Sequence, residues 1–531
     1  MTITNIDTFA RDHLPPRQAW PDLSAALELG YPDRLNAAAA LLDERFAAHP
    51  AVHGDDETWS YGELRDRAGA IARVLVDDMG LVPGNRVLLH GRNTPELVAC
   101  WLGILFAGGI VVATMPLLRA GELRKVIAKA QVSHALADAP LAAEVEAARA
   151  AEPVLRELMT FGPGGELEVR AAAAPGLPPA DTAADDVAII AFTSGTTGTP
   201  KGCVHQHRDL LATCDTFARR ILEPRPDDVF GGSPPIAFTF GLGAHLLFPL
   251  RFGASTAPVA KPGVEPLVEG IRRHGMTTLS TAPTMYRALL REAPAAHLTS
   301  LRTCVSAGEP LPAALADAWF ERTGIRIVDG IGSTEMLHIF IAARAEDARP
   351  GSFGTPVPGY QAMVVGDDMR PVEPGTVGRL AVRGPTGCRY LDDPRQATYV
   401  VDGWNLTGDS VRMDVDGYFW FEARNDDLII SSGYNISPFE VETALLEHPA
   451  VAECAIVAAP DEARGHVVKG FVVPTADATP DDALVADLQR HVKERIAPYK
   501  YPRRIEFLPA LPRTPTGKVQ RSVLRAREDA G

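Results

Sequence analysis

Six cysteines are few for 531 residues, and none of them stands in a C-x-x-C pair. Cys100, Cys203, Cys214, Cys304, Cys388 and Cys454 are scattered, which argues against a disulfide frame or a zinc site and reads as free thiols in a reducing compartment. Positive charge is also scarce: 52 Lys and Arg against 67 Asp and Glu leave a net charge of −15. Such a chain is a poor nucleic-acid binder, and an anionic ligand needs a locally positive pocket. The opening "MTITNIDTFARDHLPP" has no apolar core of a secretion signal, so the expected location is cytoplasmic. One uncharged stretch, Leu97 to Leu118, has the length of a membrane span. Gly108-Gly109 splits it and Thr114 and Pro116 close it, so a buried helix (about 94–107) and a buried strand are expected, with no membrane partner. Internal repeats are absent.

The rest is globular in texture, with 46% apolar and 22% charged residues. The length predicts several folding units at about 150 residues each. Helical and strand patterns alternate from about residue 60, which predicts an α/β fold with mixed and parallel sheets flanked by helices. "VAIIAF" reads as a strand, followed by a loop and then a helix from about His207. "LRTCVSAG" and "IRIVDG" read as strands on either side of a helix stopped by Gly324. The alanine-rich segment 137–152 reads as a surface helix. Between about 350 and 421, short strands with Gly and Pro punctuation suggest a small β-rich subdomain. Near Arg424-Asn425-Asp426 the pattern changes again. The tail holds a helix capped by Ser437 and Pro438, two strands and a further helix, enough for its own small α+β domain.

Four segments carry chemistry. "TSGTTGTPKG", 193–202, offers close backbone approach at Gly195, Gly198 and Gly202 and hydroxyls at Thr193, Ser194, Thr196, Thr197 and Thr199, with one mobile charge at Lys201. It is not the common P-loop, because Gly202 stands where that loop keeps the magnesium hydroxyl. It can still wrap phosphates; on composition alone, a solvated loop is as good a reading. "DGIGSTE", 329–335, follows a strand, and Thr334 beside Glu335 suits a phosphate-bound Mg²⁺; a helix cap is the competing reading. "WNLTGD" ends in Asp409, a carboxylate able to accept ribose hydroxyls, or else forms a plain turn. "LPRTPTGKVQR" carries Lys518, by itself an exposed lysine.

Order and combination decide. These segments, with "ARNDDLIISSGYNISPFEVE", resemble the acyl-adenylate-forming superfamily of acyl- and aryl-CoA ligases, luciferases and adenylation domains, over nearly the whole chain. The resemblance implies that a carboxylate attacks the α-phosphate of ATP and that the acyl group then passes to a thiol. ATP, Mg²⁺ and coenzyme A are the implied co-substrates, with no tightly bound organic cofactor. It implies that Thr193, Ser194, Gly195, Thr196, Thr197, Gly198 and Lys201 hold the triphosphate. Glu335 then holds the metal and Thr334 the α-phosphate. Asp409 and Arg424 take the ribose. Ser306, Gly308, Glu309 and Pro310 with Asp329, Gly330, Ile331 and Gly332 flank the adenine. Lys518 reaches the carboxylate.

Residues 427–531 resemble the family's mobile lid, hinged at 425–426 on Asp426, with 1–424 as the large part. Ser432, Gly433 and Tyr434 then approach CoA. "GIGSTEMLHIF" resembles benzoate-type aryl-CoA ligases. There Phe238, Thr239, Phe240, Gly241, Gly332, His338 and Ile339 form the acid pocket. The N-terminal segment is most like 2-aminobenzoate–CoA ligases. Ile331 stands where many members carry an aromatic residue, so stacking on adenine is weaker here or comes from elsewhere. Benzoate or a hydroxybenzoate is the next acid. A free-standing adenylation enzyme loading an acyl carrier protein is the alternative, and a fatty-acyl or luciferase-like enzyme is disfavoured by the pocket motif. Monomer and homodimer both remain open.

Overall fold

The computed structural model describes residues 4–24, 29–173, 175–193, 200–424, 427, 429–431, 434–461, 465–514 and 518–529. They fall into two compact units, Met1–Ala362 with Val382–Asn405, and Met363–Ala381 with Leu406–Gly531. The fold class is the one expected, α/β with mixed sheets flanked by helices and a small C-terminal α+β body.

In the first unit one sheet runs in the order Glu157–Phe161, His134–Asp138, Arg86–His90, Ile110–Thr114, Val187–Thr193, Lys201–Gln206. Its first five strands are parallel and the last is antiparallel. The apolar stretch noted above becomes the buried helix Pro95–Phe106, capped by Thr94 and started by Pro95, and the strand Ile110–Thr114. Among the described residues no helix is long and apolar enough to cross a membrane.

A second run of strands joins Thr278–Thr281, Thr303–Ser306 and Ile327–Gly332 in parallel. Val229–Gly232 lies on the other side of Thr278–Thr281. Ile339–Ala342 turns back antiparallel to Ile327–Gly332. Behind these strands the helices Pro283–Glu292 and Ala313–Thr323 close a core in which Tyr286 and Trp319 meet edge-on at 4.8 Å, both fully buried. Gly324 ends the second helix at φ +73°, a left-handed stop that an L side chain resists. The carboxyl ends of Ser306 and Ile327–Gly332 thus come side by side, where open sheets of this kind bind ligands.

The second unit pairs residues 409–413 with Phe419–Arg424 in a hairpin. Its tail carries a sheet of Val451–Asp461, Gly465–Pro474, Arg504–Phe507 and Ile429–Ser431, packed on the helices Pro438–Leu446 and Asp482–Arg495. Ser437 caps the first of these through Glu440 N–H at 3.3 Å.

Candidate active site

The hydroxyl-rich segment starts at the end of one strand and finishes at the start of its antiparallel partner. Thr193 and Lys201 are opposite partners across Val187–Thr193 and Lys201–Gln206. The sequence reading placed a loop and then a helix here. The helix does begin at His207, but residues 201–206 form a strand first, because both of its edges find partners. Segment 388–391 lines the other edge: Val204 N–H donates to Arg389 O and Leu391 N–H to Gly202 O, both at 2.8 Å. Residues 194–199, with Ser194, Gly195, Thr196, Thr197 and Gly198, lie outside the described residues.

Thr334 and Glu335 sit on the tight connection between Ile327–Gly332 and Ile339–Ala342, so they belong to a hairpin and not to a helix cap. Leu337 N–H donates to Thr334 O at 3.1 Å and Met336 N–H to Ser333 Oγ at 3.2 Å. Leu337 adopts φ +69°, a costly conformation for a branched residue, and the surrounding bonds over-determine it. From the neighbouring sheet, His205 Nε2 meets Thr334 O at 2.8 Å. His205 is fully buried, which pushes it down to about 4, so its ring is neutral and its Nε2–H donates. Thr386 Oγ1 donates to Met336 O at 2.7 Å. Glu335 is buried; Tyr390 O–H donates to its Oε1 at 2.6 Å, and among the described residues no cation pairs with it. Lys201 Nζ stands 5.4 Å from the centre of the same Tyr390 ring.

No group of three or more His, Cys, Asp or Glu among the described residues could hold a metal by itself. A single buried carboxylate fits Mg²⁺ only as part of MgATP, where phosphate oxygens and water supply most of the ligands.

The two segments predicted to flank adenine are neighbours, with Ser306 and Asp329 at paired positions of parallel strands. Gly308 follows at φ +91°. Burial raises the Asp329 carboxyl to about 8, so it is mostly neutral at pH 7.

The residues expected to line an acid pocket also come together. Thr239, Phe240 and Gly241 lie on the short helix Thr239–Leu242, with Phe238 at its N-cap, and the helix widens into a π-turn over Gly243–Leu247. The His338 ring lies against this turn: a Cβ on Gly243 would come within 2.4 Å of it. Its Nε2 is 3.4 Å from Phe240 O, and the rings of Phe217, Phe240 and Phe248 surround it at 5.2, 5.9 and 4.6 Å. Burial pushes His338 down to about 3, so it is neutral. Ile339 covers Gly330, where a Cβ would meet its Cγ2 at 2.7 Å. A Cβ on Gly332 would come as close to the His338 carbonyl oxygen.

In the second unit Asp409 and Arg424 are register partners, and Arg424 Nη1 donates to Asp409 Oδ1 at 2.5 Å. Lys518 is exposed; Thr514 N–H donates to its carbonyl at 2.8 Å, and its own N–H donates to Thr514 Oγ1 at 3.1 Å. Asp426, Ser432 and Gly433 lie outside the described residues, and Tyr434 begins the strand Tyr434–Ile436.

Sequence reasoning missed His205, Tyr390, Phe217 and Phe248. The two histidines of "VHQH" were a visible signal for the first; nothing local marked Tyr390.

Residues 38–389 match the AMP-binding enzyme family and residues 440–518 the AMP-binding enzyme C-terminal domain. The chain therefore belongs to the AMP-binding enzymes, the acyl-adenylate-forming superfamily. Within it, the chain falls in the benzoate–CoA ligase branch. It is 36% identical to the benzoate–CoA ligase of Thauera aromatica over 508 residues, covering 93% of this chain and 96% of that one. It is similar to the anthranilate CoA ligase AuaEII, solved with anthranoyl-AMP, at TM-score 0.89 and 34% identity, covering 94% of this chain and 98% of that one. The benzoate CoA ligase of Burkholderia xenovorans LB400 follows at TM-score 0.86 and 33% identity, covering 92% of this chain and all of that one.

Proposed function

We propose that this AMP-forming acid–CoA ligase acts on an aromatic carboxylate, with 2-aminobenzoate as the favoured acid and benzoate or a hydroxybenzoate next. The observation that carries the reading is a buried aromatic cluster: a neutral His338 set among three phenylalanines, with Ile339 laid over Gly330. Flat apolar walls with one polar group suit a ring bearing a small polar substituent. The relative solved with anthranoyl-AMP supports the choice of acid.

In the first half-reaction a carboxylate oxygen attacks the α-phosphorus and pyrophosphate leaves. Segment 193–201, with Lys201, neutralises the triphosphate, and Thr334 donates to the α-phosphate. Glu335 takes the Mg²⁺ that arrives with ATP. Asp409 and Arg424 hold the ribose, and Asp329, Gly330 and Ile331 face the adenine. Lys518 bridges the carboxylate and the α-phosphate. No protein nucleophile is required, so catalysis is orientation and charge neutralisation. In the second half-reaction the CoA thiolate attacks the acyl carbon and AMP leaves with one carboxylate oxygen. The tail turns about Asp426, withdraws Lys518 and brings Ser432, Gly433 and Tyr434 to the thiol, a gating step.

The test is kcat/KM for thioester formation with 2-aminobenzoate, benzoate, 2- and 4-hydroxybenzoate and octanoate. The reading expects 2-aminobenzoate to lead, by a margin of about 1–3 kcal/mol per substituent contact. Octanoate in first place would overturn the aryl pocket, and benzoate in first place would overturn the amino preference alone.

A further inference from the structure

Tyr390 lies in no segment that the sequence marks for chemistry, yet it touches two residues that are. Its hydroxyl donates to Glu335 Oε1 at 2.6 Å, and its ring sits 5.4 Å from Lys201 Nζ. Its own place is set from several sides. The Cys203–Tyr390 bridge and the two backbone bonds to Gly202 and Val204 hold segment 389–391 along the edge strand. Gln396 Oε1 accepts from Tyr390 N–H at 2.9 Å, while Gln396 Nε2 donates to Ala19 O and Cys388 O. Next to it Arg389 forms a buried ion pair with Asp209. Tyr399 meets the Tyr390 ring edge-on at 5.6 Å. A phenol fixed this firmly gives little under load.

Glu335 is the reason a fixed phenol matters. Its carboxylate is buried, and among the described residues no lysine, arginine or histidine pairs with it. A buried carboxylate without a counter-ion is costly unless a cation joins it in the working complex. The hydroxyl occupies one oxygen and orients the other, as outer partners do for metal-binding carboxylates. The aromatic face beneath Lys201 fixes the second charge relative to the first.

We propose that Tyr390 is a positioning residue: one side chain sets both the magnesium carboxylate Glu335 and the phosphate lysine Lys201. The proposal rests on the reading of Glu335 and Lys201 as MgATP ligands. Tyr390→Phe removes the hydroxyl and keeps the ring, so it acts on the Glu335 arm alone. Tyr390→Leu removes both.

The experiment is calorimetric ATP binding to the full chain, with saturating Mg²⁺ and with EDTA. For Tyr390→Phe the gain in ATP affinity conferred by Mg²⁺ falls about tenfold, and affinity in EDTA is unchanged. For Tyr390→Leu the EDTA affinity falls as well, because Lys201 loses its seat. Glu335→Gln removes the Mg²⁺ gain, and adding Tyr390→Phe to it changes nothing more. A Tyr390→Phe protein that keeps its Mg²⁺ gain within twofold overturns the proposal, as does one that loses equally in EDTA. If Glu335→Gln itself keeps the full Mg²⁺ gain, the reading of Glu335 fails and the Tyr390 proposal falls with it; the first two outcomes leave that reading standing.

Discussion

At the scale of single residues the account separates the two half-reactions through Lys518. Lys518→Ala should slow adenylate formation by about 10²–10³, the usual loss when one transition-state donor goes. Thioester formation from supplied aryl-AMP should stay near wild type, because the proposed mechanism gives Lys518 no part in that step. Equal loss in both assays sinks the division of labour. Gly243 makes a second case. Any side chain there meets the His338 ring at 2.4 Å, and the ring is already confined by Phe217 and Phe248. Gly243→Ala should raise KM for the aromatic acid about tenfold, one small packing change in an apolar pocket being worth about 1–3 kcal/mol. KM for MgATP should not move; if the two rise together, His338 is not lining the acid pocket.

Secondary elements show where the reading of residues reached its limit. Caps announce themselves locally: Ser437 and Pro438 open a helix and Gly324 closes one, as the residues alone say. Strand Lys201–Gln206 does not, because "KGCVHQ" owes its conformation to partners on two edges, one of them contributed by segment 388–391. The alanine-rich 137–152 hides a strand end for the same reason. His134–Asp138 is held in the middle of a parallel sheet, and only Ala142–Ala151 is the helix expected. The loop, the Thr334-Glu335 pair, Asp409 and Lys518 stand out in the sequence as candidates because each is a local motif. Tyr390 and His205 act on Glu335 and Thr334 across the fold, which no local window contains. Helix Ala313–Thr323 tests how much the core behind the site contributes. Trp319 is fully buried against Tyr286, so Trp319→Ala should cost about 3–5 kcal/mol in urea unfolding. A cost below about 1 kcal/mol would mean that this helix does not hold the core.

Over the whole molecule, buried titratable groups set the pH range of the fold. Burial lowers His90, His205, His207 and His245 to about 4 and His338 to about 3, against 6.5 when unfolded. Each depressed histidine is neutral in the fold and takes up a proton on unfolding below pH 6.5. Stability is therefore lost as pH falls from 6.5 toward 4, at up to about 1.4 kcal/mol per pH unit for each net proton. Asp329 has the opposite sign: raised from 3.8 to about 8, it contributes stability that is fully present below pH 3.8 and is lost as pH rises from there to 8. The urea midpoint of the first unit should thus fall steeply as pH drops from 6.5 to 4.5, and fall gently as pH rises from 7 to 8 before levelling off. A flat profile from pH 7 to 5 would show that these histidines are not buried neutral. The central claim is chemical: an aromatic carboxylate oxygen attacks the α-phosphorus. The most direct measurement gives the enzyme 2-aminobenzoate labelled with ¹⁸O at both carboxyl oxygens, together with MgATP and CoA, and weighs the products. The account predicts one label in AMP, one in the thioester carbonyl and none in pyrophosphate. Unlabelled AMP, or label in the released phosphates, contradicts it.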